Sequence, residues 1–415
     1  MNLENFYNEI IRKLPVVREK EDFRDDVKAC LSEYIENVKS LDNNLFTGDA
    51  EKQDIVAKIQ EQSDQISEII NSYYAGQHAI AFEKFQQLFN APNGIITNIQ
   101  LYTIQQQSIE EYYDEEEEVL RSEEVPNIWF RARIFDNKQE HTFKEMFHIP
   151  LNKREIVNTQ RYSAPGYPCL YLGNTIYSCW EEMHRPRFDD IMFSGFKVKQ
   201  KFKVYDLRIP KRSCFEGDSF EQVLQCMPLI IACMIQVKNY NYPFKPEYII
   251  PQLLIDAIIC NNRKDWKEKH GPCDMPWGVI YTSTHISKDF LYGTEYLENI
   301  ALPAIKIDGD KDYCEVLASF FDISDPLCYE YEALKENDSR IFFETITTDP
   351  KEKLRRQYLE SKMGYLENRI KKNGNFQMLD YIFINGPQSG IVIPQDGSPV
   401  QVELRASGPW EIVSD

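Results

Sequence analysis

The chain reads as an α+β protein, a helical N-terminal module followed by a mixed α/β domain. Three observations predict this. Apolar residues early in the chain recur at helical spacing. Beyond about residue 126, short β-type runs alternate with helix-type runs, and the C-terminal stretch returns to β-type alternation. The 415 residues are enough for two or three domains, and 42% hydrophobic residues supply a packed core. The expected division is 1–125 for the helical module, 126–310 for the α/β core and 311–415 for a helix and β-hairpin extension packed on that core.

Taken in order, Ile55, Ile59, Ile66, Ile70 and Tyr73 recur at three, four or seven positions, and Phe82, Phe85, Leu88 and Phe89 continue the pattern after Gly76. This spacing predicts an amphipathic hairpin or bundle seam. The acidic run EEYYDEEEEVLRSEE (110–124) reads as a solvated linker or helix face that closes the module. IWFRARIF (128–135) and CLYLG (169–173) read as strands, and TIYSCWEEMH (175–184) as a helix with Ile176, Cys179, Trp180 and Met183 on one face. In FKVKQKFKVYDL (196–207), Phe196, Val198, Phe202 and Val204 alternate with lysines, as in a half-buried strand or hairpin. PEYIIPQLLIDAIICNN (246–262) reads as a buried helix that tolerates Pro251 only in its first turn. WGVIYTST (277–284) is an apolar strand ending in hydroxyls, 349–373 a charged amphipathic helix, and IVIPQDGSPVQVEL (391–404) a hairpin turning at Asp396-Gly397.

Charge and motif content narrow the function. The net charge of −19 argues against coating nucleic acid, where affinity comes from neutralising phosphates. A local basic pocket for one small anion stays open, since overall sign does not set the sign of a single site. None of the ten cysteines forms a C-x-x-C pair and no histidine stands at zinc-ligand spacing, so no metal is expected and reduced cytoplasmic thiols are the simplest reading. The opening MNLENFYNEIIRKLP lacks a signal-type apolar stretch, and no apolar run reaches the roughly 18 residues of a membrane span. Phosphate-loop, dinucleotide-fingerprint and H-E-x-x-H motifs are absent.

One stretch, RYSAPGYPCLYLGNTIYSCWEEM (161–183), carries chemistry-bearing residues at strand-turn-helix spacing. Arg161 offers a rigid fork suited to diphosphate or carboxylate. Ser163 to Gly166 makes a turn whose backbone can approach a ligand closely. Tyr171 follows within the next strand and Glu182 in the next helix. A structural Arg–Glu pair fits these residues as well as a site does. Further on, Ser283 and His285 follow a strand end, but the surroundings are not G-x-S-x-G, so Ser283 suits positioning better than nucleophilic attack.

The blocks WFRAR, RYSAPGYPCLYLGNTIYSCWEE, YIIPQLLIDAI and WGVIYTST, in this order and spacing, resemble the RES-domain family over about residues 126–310. The helices before them resemble the helical extension of longer RES proteins. The resemblance implies a fold like that of ADP-ribosyltransferases and an NAD+-degrading activity, with NAD as substrate and no metal. It implies a catalytic set of Arg161, Tyr171, Glu182 and Ser283, with Arg131, Arg133, Ser163, Gly166 and His285 as substrate-binding residues. Glu181 is the rival to Glu182, and the count from Tyr171 favours Glu182. Where many compact RES toxins have Trp-Asn after the arginine, this chain has Tyr162-Ser163.

The implied chemistry is coherent. Nicotinamide leaves a cationic ring as a neutral molecule, so the transition state resembles an oxocarbenium ion, and a carboxylate such as Glu182 stabilises it. Arg131 and Arg161 suit the diphosphate, Tyr171 the nicotinamide ring, and Ser283 the ribose or carboxamide. The expected role is a cytoplasmic bacterial toxin or defence effector, a glycohydrolase or phosphorylase, with a separate antitoxin or regulatory protein and a homodimer by analogy. The competing readings are an ADP-ribosyltransferase acting on a macromolecule and a non-catalytic binding module. A helical nuclease is disfavoured, because no arginine closely precedes His78.

Overall fold

A computed structural model of the chain describes residues 1–91, 94–114, 119–134, 143–268, 275–285, 297–306, 312–329, 357–379, 389–392, 400–403 and 411–412. The helices are α1 (Leu3–Lys13), α2 (Phe23–Lys39), α3 (Asp49–Tyr74), α4 (His78–Asn90), α5 (Ile95–Asn98), α6 (Phe143–Met146), α7 (Ile176–Glu182), α8 (Phe220–Cys233), α9 (Ile249–Glu268), α10 (Glu315–Phe320) and α11 (Lys362–Asn373). The strands are β1 (Leu101–Ile104), β2 (Gln107–Asp114), β3 (Val119–Pro126), β4 (Ile128–Ile134), β5 (Cys169–Gly173), β6 (Ile191–Val198), β7 (Phe202–Leu207), β8 (Pro276–Thr282), β9 (Glu298–Pro303), β10 (Phe321–Ser324), β11 (Phe376–Met378), β12 (Ser389–Val392), β13 (Val400–Glu403) and β14 (Glu411–Ile412). The protein is α+β, with helices first and a mixed α/β region after them. Among the described residues, no helix is long and apolar enough to cross a membrane.

The chain forms two compact units, each assembled from three segments. One comprises Met1–Tyr102, Glu155–Cys169 and Lys203–Pro303; the other comprises Thr103–Arg154, Leu170–Phe202 and Ala304–Asp415.

In the first unit, helix starts follow from local capping. Asn2 accepts from the Asn5 amide at 2.8 Å and Asp22 from the Arg24 amide at 2.9 Å, satisfying donors that the helix itself cannot. The α3 stripe of Ile55, Ile59, Ile66, Ile69 and Ile70 is buried, and α3 packs on α2, α4 and α8. Helix α9 is apolar nearly all round from Ile249 to Ile259 and correspondingly buried, with Pro251 in its first turn. Strand β7 pairs in parallel with β8, and β8 pairs antiparallel with β9. Gly278 of β8 has a structural reason: an added Cβ would meet the Ala301 carbonyl oxygen at 2.1 Å.

In the second unit the strands run in the order β5-β4-β6-β10-β11. Ile128 and Phe130 of β4 pack with Ile176 and Cys179 of α7 and with Leu366 and Ile370 of α11. Thr175 and Ser178 close a capping box at the start of α7, and the Ile176 amide donates to Glu367 of α11 at 3.2 Å.

Two segments differ from the sequence reading. The N-terminal helices end at Asn98, and the described parts of the acidic run, 110–114 and 119–124, lie in the antiparallel strands β2 and β3 rather than in a linker or helix face. The run 196–207 holds parts of two strands with different partners: β6 pairs with β4 and β10, whereas β7 pairs with β8. The pairing of β12 with β13 matches the expected C-terminal hairpin, whose turn at Asp396-Gly397 lies outside the described residues. Residues 330–356, which include the start of the helix expected at 349–373, also lie outside them.

Candidate functional site

Arg161 stands at the tip of a tight turn in the first unit. Gln160 and Ser163 exchange backbone hydrogen bonds of 3.0 and 3.2 Å across it. From α9, Gln252 Nε2 donates to Thr159 Oγ1, Gln160 O and Ser163 O at 2.9–3.1 Å, which fixes the turn to a rigid helix. Gly166 adopts a φ of 81°, and its amide closes the loop onto Val157 O at 3.1 Å. Tyr162 is buried against Tyr281, ring centroids 4.6 Å apart.

So held, the Arg161 side chain points inward and the residue is only 8% exposed. Its Nη1 donates to Cys233 O at 3.0 Å and Ile235 O at 3.1 Å, and its Nη2 to Thr284 Oγ1 at 2.9 Å. The Tyr248 ring lies 5.2 Å from the guanidinium carbon. Cys233 ends α8, so the cation sits where the helix dipole is negative and where carbonyls lack helical partners. All three of these bonds go to neutral oxygens. Burial pushes the Cys233 thiol up to about 12, and the Arg161 charge opposes that shift.

Strand β8 ends at Thr282, and the next three residues form a turn rather than a continued strand. The Ser283 amide donates to Leu297 O at 2.8 Å, and Ser283 Oγ accepts the His285 amide at 3.1 Å. Ser283 is fully buried. Gln236 Nε2 donates to Thr284 O at 2.7 Å. The His285 ring stacks on Tyr240 with centroids 5.2 Å apart, and its Nε2 lies 3.3 Å from the Tyr240 hydroxyl. The first unit thus brings Arg161 to the Ser283–His285 turn through Thr284, with Ser163 and Gly166 in the loop that carries Arg161.

The other sequence-predicted residues lie in the second unit. Arg131 and Arg133 alternate with Ile128, Phe130 and Ala132 along β4, so they leave the face that packs on α7. Arg133 Nη1 donates to Glu145 O, and burial lowers the Arg133 pKa. His148 is fully buried, with Nε2 accepting the Cys314 amide at 2.9 Å and Nδ1 bonded to Ile149 O at 2.8 Å. Burial, with the Arg131 charge adding to it, lowers the His148 pKa to about 4, so the ring is neutral. Tyr171 is half-buried at the centre of β5, and Glu182 is the last residue of α7.

Glu181 and Glu182 have different surroundings. Glu181 is buried and ion-paired with Arg185 at 2.8 Å; together with burial, its hydrogen bond raises the Tyr177 pKa. Glu182 is half-buried. The Cys179 thiol, raised to about 12 by burial, also feels Glu182 pushing it up and Arg131 pulling it down. Among the described residues, no group of three or more His, Cys, Asp or Glu is arranged to hold a metal ion.

Several residues around these sites are not singled out by the sequence, although Thr284 closes the hydroxyl-ending run 277–284. Thr284, Gln252 and Tyr240 make their contacts across long stretches of chain. Arg208 follows β7 and binds Asp206 (Nη2–Oδ2 2.6 Å) and Glu298 (Nη1–Oε1 3.1 Å) beneath the Tyr102 ring, beside a cavity of about 350 Å³. Burial raises the Glu298 pKa against the pull of Arg208. The Asp206-x-Arg208 spacing at a strand end was the available hint.

No family model and no solved structure matches the chain. It is similar to a Bacillus subtilis (strain 168) protein named "Putative toxin YopC", with 29% identity over 364 residues that cover 83% of this chain and 75% of that protein.

Proposed function

We propose that this protein is a toxin that consumes NAD+ by cleaving its nicotinamide–ribose bond. The toxin part of the reading is supported by the similarity to the protein named "Putative toxin YopC". The NAD+ part rests on the resemblance carried by Arg161, Tyr171, Glu182 and Ser283. The structural observation that favours it most is the Arg161 guanidinium, buried, bonded to neutral oxygens and tied through Thr284 to the turn of Ser283 and His285. A buried guanidinium held by fixed partners is a preorganised positive charge suited to an anionic substrate, at the energetic cost of burial.

In this reading the bond between ribose C1′ and nicotinamide N1 breaks, and its electron pair leaves with the neutral nicotinamide. Glu182 stabilises the oxocarbenium character that builds at C1′. Water attack gives ADP-ribose and a proton; phosphate attack gives the ribosyl phosphate. Arg131 and Arg161 serve the diphosphate, Tyr171 the leaving ring, and Ser283 with His285 orientation of the ribose or carboxamide.

The test is product identification after incubating the full chain with NAD+, with and without phosphate. Free nicotinamide together with ADP-ribose or its phosphate is expected. Tagged NAD+ that labels a protein or nucleic acid instead would replace this reading with ADP-ribosyl transfer to a macromolecule. Intact NAD+ bound without turnover would mark a binding module.

A further inference from the structure

The N-terminal segment Leu14–Arg18 meets the residues that hold Arg161 at two independent points. The first is backbone. The Val16 amide donates to Met234 O at 3.0 Å and the Gln236 amide donates to Val16 O at 2.8 Å, a parallel bridge between Val16 and Ile235. The carbonyls on either side of Met234, those of Cys233 and Ile235, are the two that accept from Arg161 Nη1. One short stretch leaving α8 is therefore gripped from one direction by the N-terminal segment and from another by Arg161.

The second point is a buried ion network. Arg18 Nη1 donates to Glu247 Oε1 at 2.7 Å, Nε to Asp26 Oδ2 at 3.3 Å and Nη2 to Glu21 O at 3.0 Å. The Arg18, Asp26 and Glu247 side chains are 8%, 6% and 1% exposed. Asp26 Oδ1 also accepts the amides of Glu19 and Lys20, and Glu247 Oε1 that of Lys238. Glu247 directly precedes Tyr248, the ring beneath the Arg161 guanidinium. A forked, fully charged side chain with this many fixed partners locks the entry segment to the short helical turn Pro246–Tyr248.

We propose that Leu14–Arg18 is a positioning element for Arg161, with Arg18 and Glu247 its positioning residues. The N-terminal helices then belong to the site's support and are not a removable restraint on it. Its consequence for catalysis rests on the NAD+ reading above; its consequence for Arg161 itself does not.

The test uses the full chain with nitrogen-labelled arginine, reading hydrogen exchange at the Arg161 guanidinium by NMR, alongside kcat and KM for nicotinamide release. Glu247→Gln is the mild variant. The triple variant Arg18→Met, Asp26→Asn, Glu247→Gln removes the network without leaving an unpaired buried charge. With folding verified by thermal melting, faster Arg161 exchange is expected in both, and more so in the triple variant. Because Arg161 is assigned to the diphosphate, which is held in ground and transition states alike, its misplacement should lower kcat/KM on the order of tenfold to a hundredfold, with a rise in KM. Folded variants with lower melting temperatures but unchanged Arg161 exchange would overturn the proposal. A wild-type chain that leaves NAD+ intact would overturn the NAD+ reading, and the exchange comparison would still decide the positioning claim.

Discussion

Thr284 Oγ1 accepts a 2.9 Å hydrogen bond from Arg161 Nη2, and both residues are buried. This bond joins a turn near residue 161 to the end of β8, and it is charge-assisted on the donor side. Thr284→Val keeps the shape and removes the acceptor. The variant should lose about 1.5–3 kcal/mol in urea unfolding, the range for a hydrogen bond to a charged group. Thr284→Ser, which keeps the oxygen, should recover most of that loss. Equal stability of the two variants would show that the bond contributes nothing.

His148 gives a pH dependence with a definite sign. Its folded pKa, lowered to about 4 by burial, lies below the ordinary value of about 6.5. Between those values the unfolded chain binds a proton that the folded chain refuses, so stability falls as pH drops from about 6.5 towards 4. The full contribution is about 3 kcal/mol from the size of the shift. Replacing His148 with Gln should flatten the stability curve in that window. Parallel curves for the two proteins across it would contradict a buried neutral ring.

Asp256 shows the opposite sign. Burial raises its pKa to about 6, so the ionised carboxylate costs stability at neutral pH and the cost fades as pH falls from about 6 towards 4. Asp256→Asn should stabilise the protein at pH 7.5 by about 1–2 kcal/mol, after discounting for partial exposure. The gain should vanish near pH 4. A variant that gains nothing at pH 7.5 would mean that the carboxylate is comfortably solvated.

Gly278 tests the packing of β8 on β9. The 2.1 Å approach of an added Cβ to the Ala301 carbonyl oxygen demands backbone movement rather than a side-chain shift. Gly278→Ala should cost about 1–3 kcal/mol or more, as overpacking does, measured by thermal or urea unfolding. A neutral substitution would place the two strands farther apart.

Much of the fold was legible where burial follows period. Ile55, Ile59, Ile66 and Ile70 marked the buried stripe of α3, and the run 249–259, apolar except for Gln252 and Asp256, marked a helix buried nearly all round. The pairing of β2 with β3 was not legible. The many acidic side chains of this segment give no apolar alternation, and charge density resembled a linker. In 196–207 alternation told which side chains turn inward but carried no information on strand partners. For the candidate site, the strand, turn and helix that carry Arg161, Tyr171 and Glu182 were readable from spacing. Partners such as the Cys233 and Ile235 carbonyls and Thr284 were not, since backbone oxygens leave no mark in the sequence and the threonine is 123 positions away.

The proposed reaction is cleavage of NAD+, with Glu182 stabilising the charge that develops on ribose. The most direct measurement is nicotinamide release from NAD+ by the wild-type chain and by Glu182→Ala at equal concentration, with both proteins shown to be folded. Loss of one charge-stabilising group should slow release by on the order of a hundredfold or more. Release by the wild type that collapses in the variant is the predicted result. Equal release by the two proteins would contradict the role of Glu182, and no release by the wild type would contradict the activity itself.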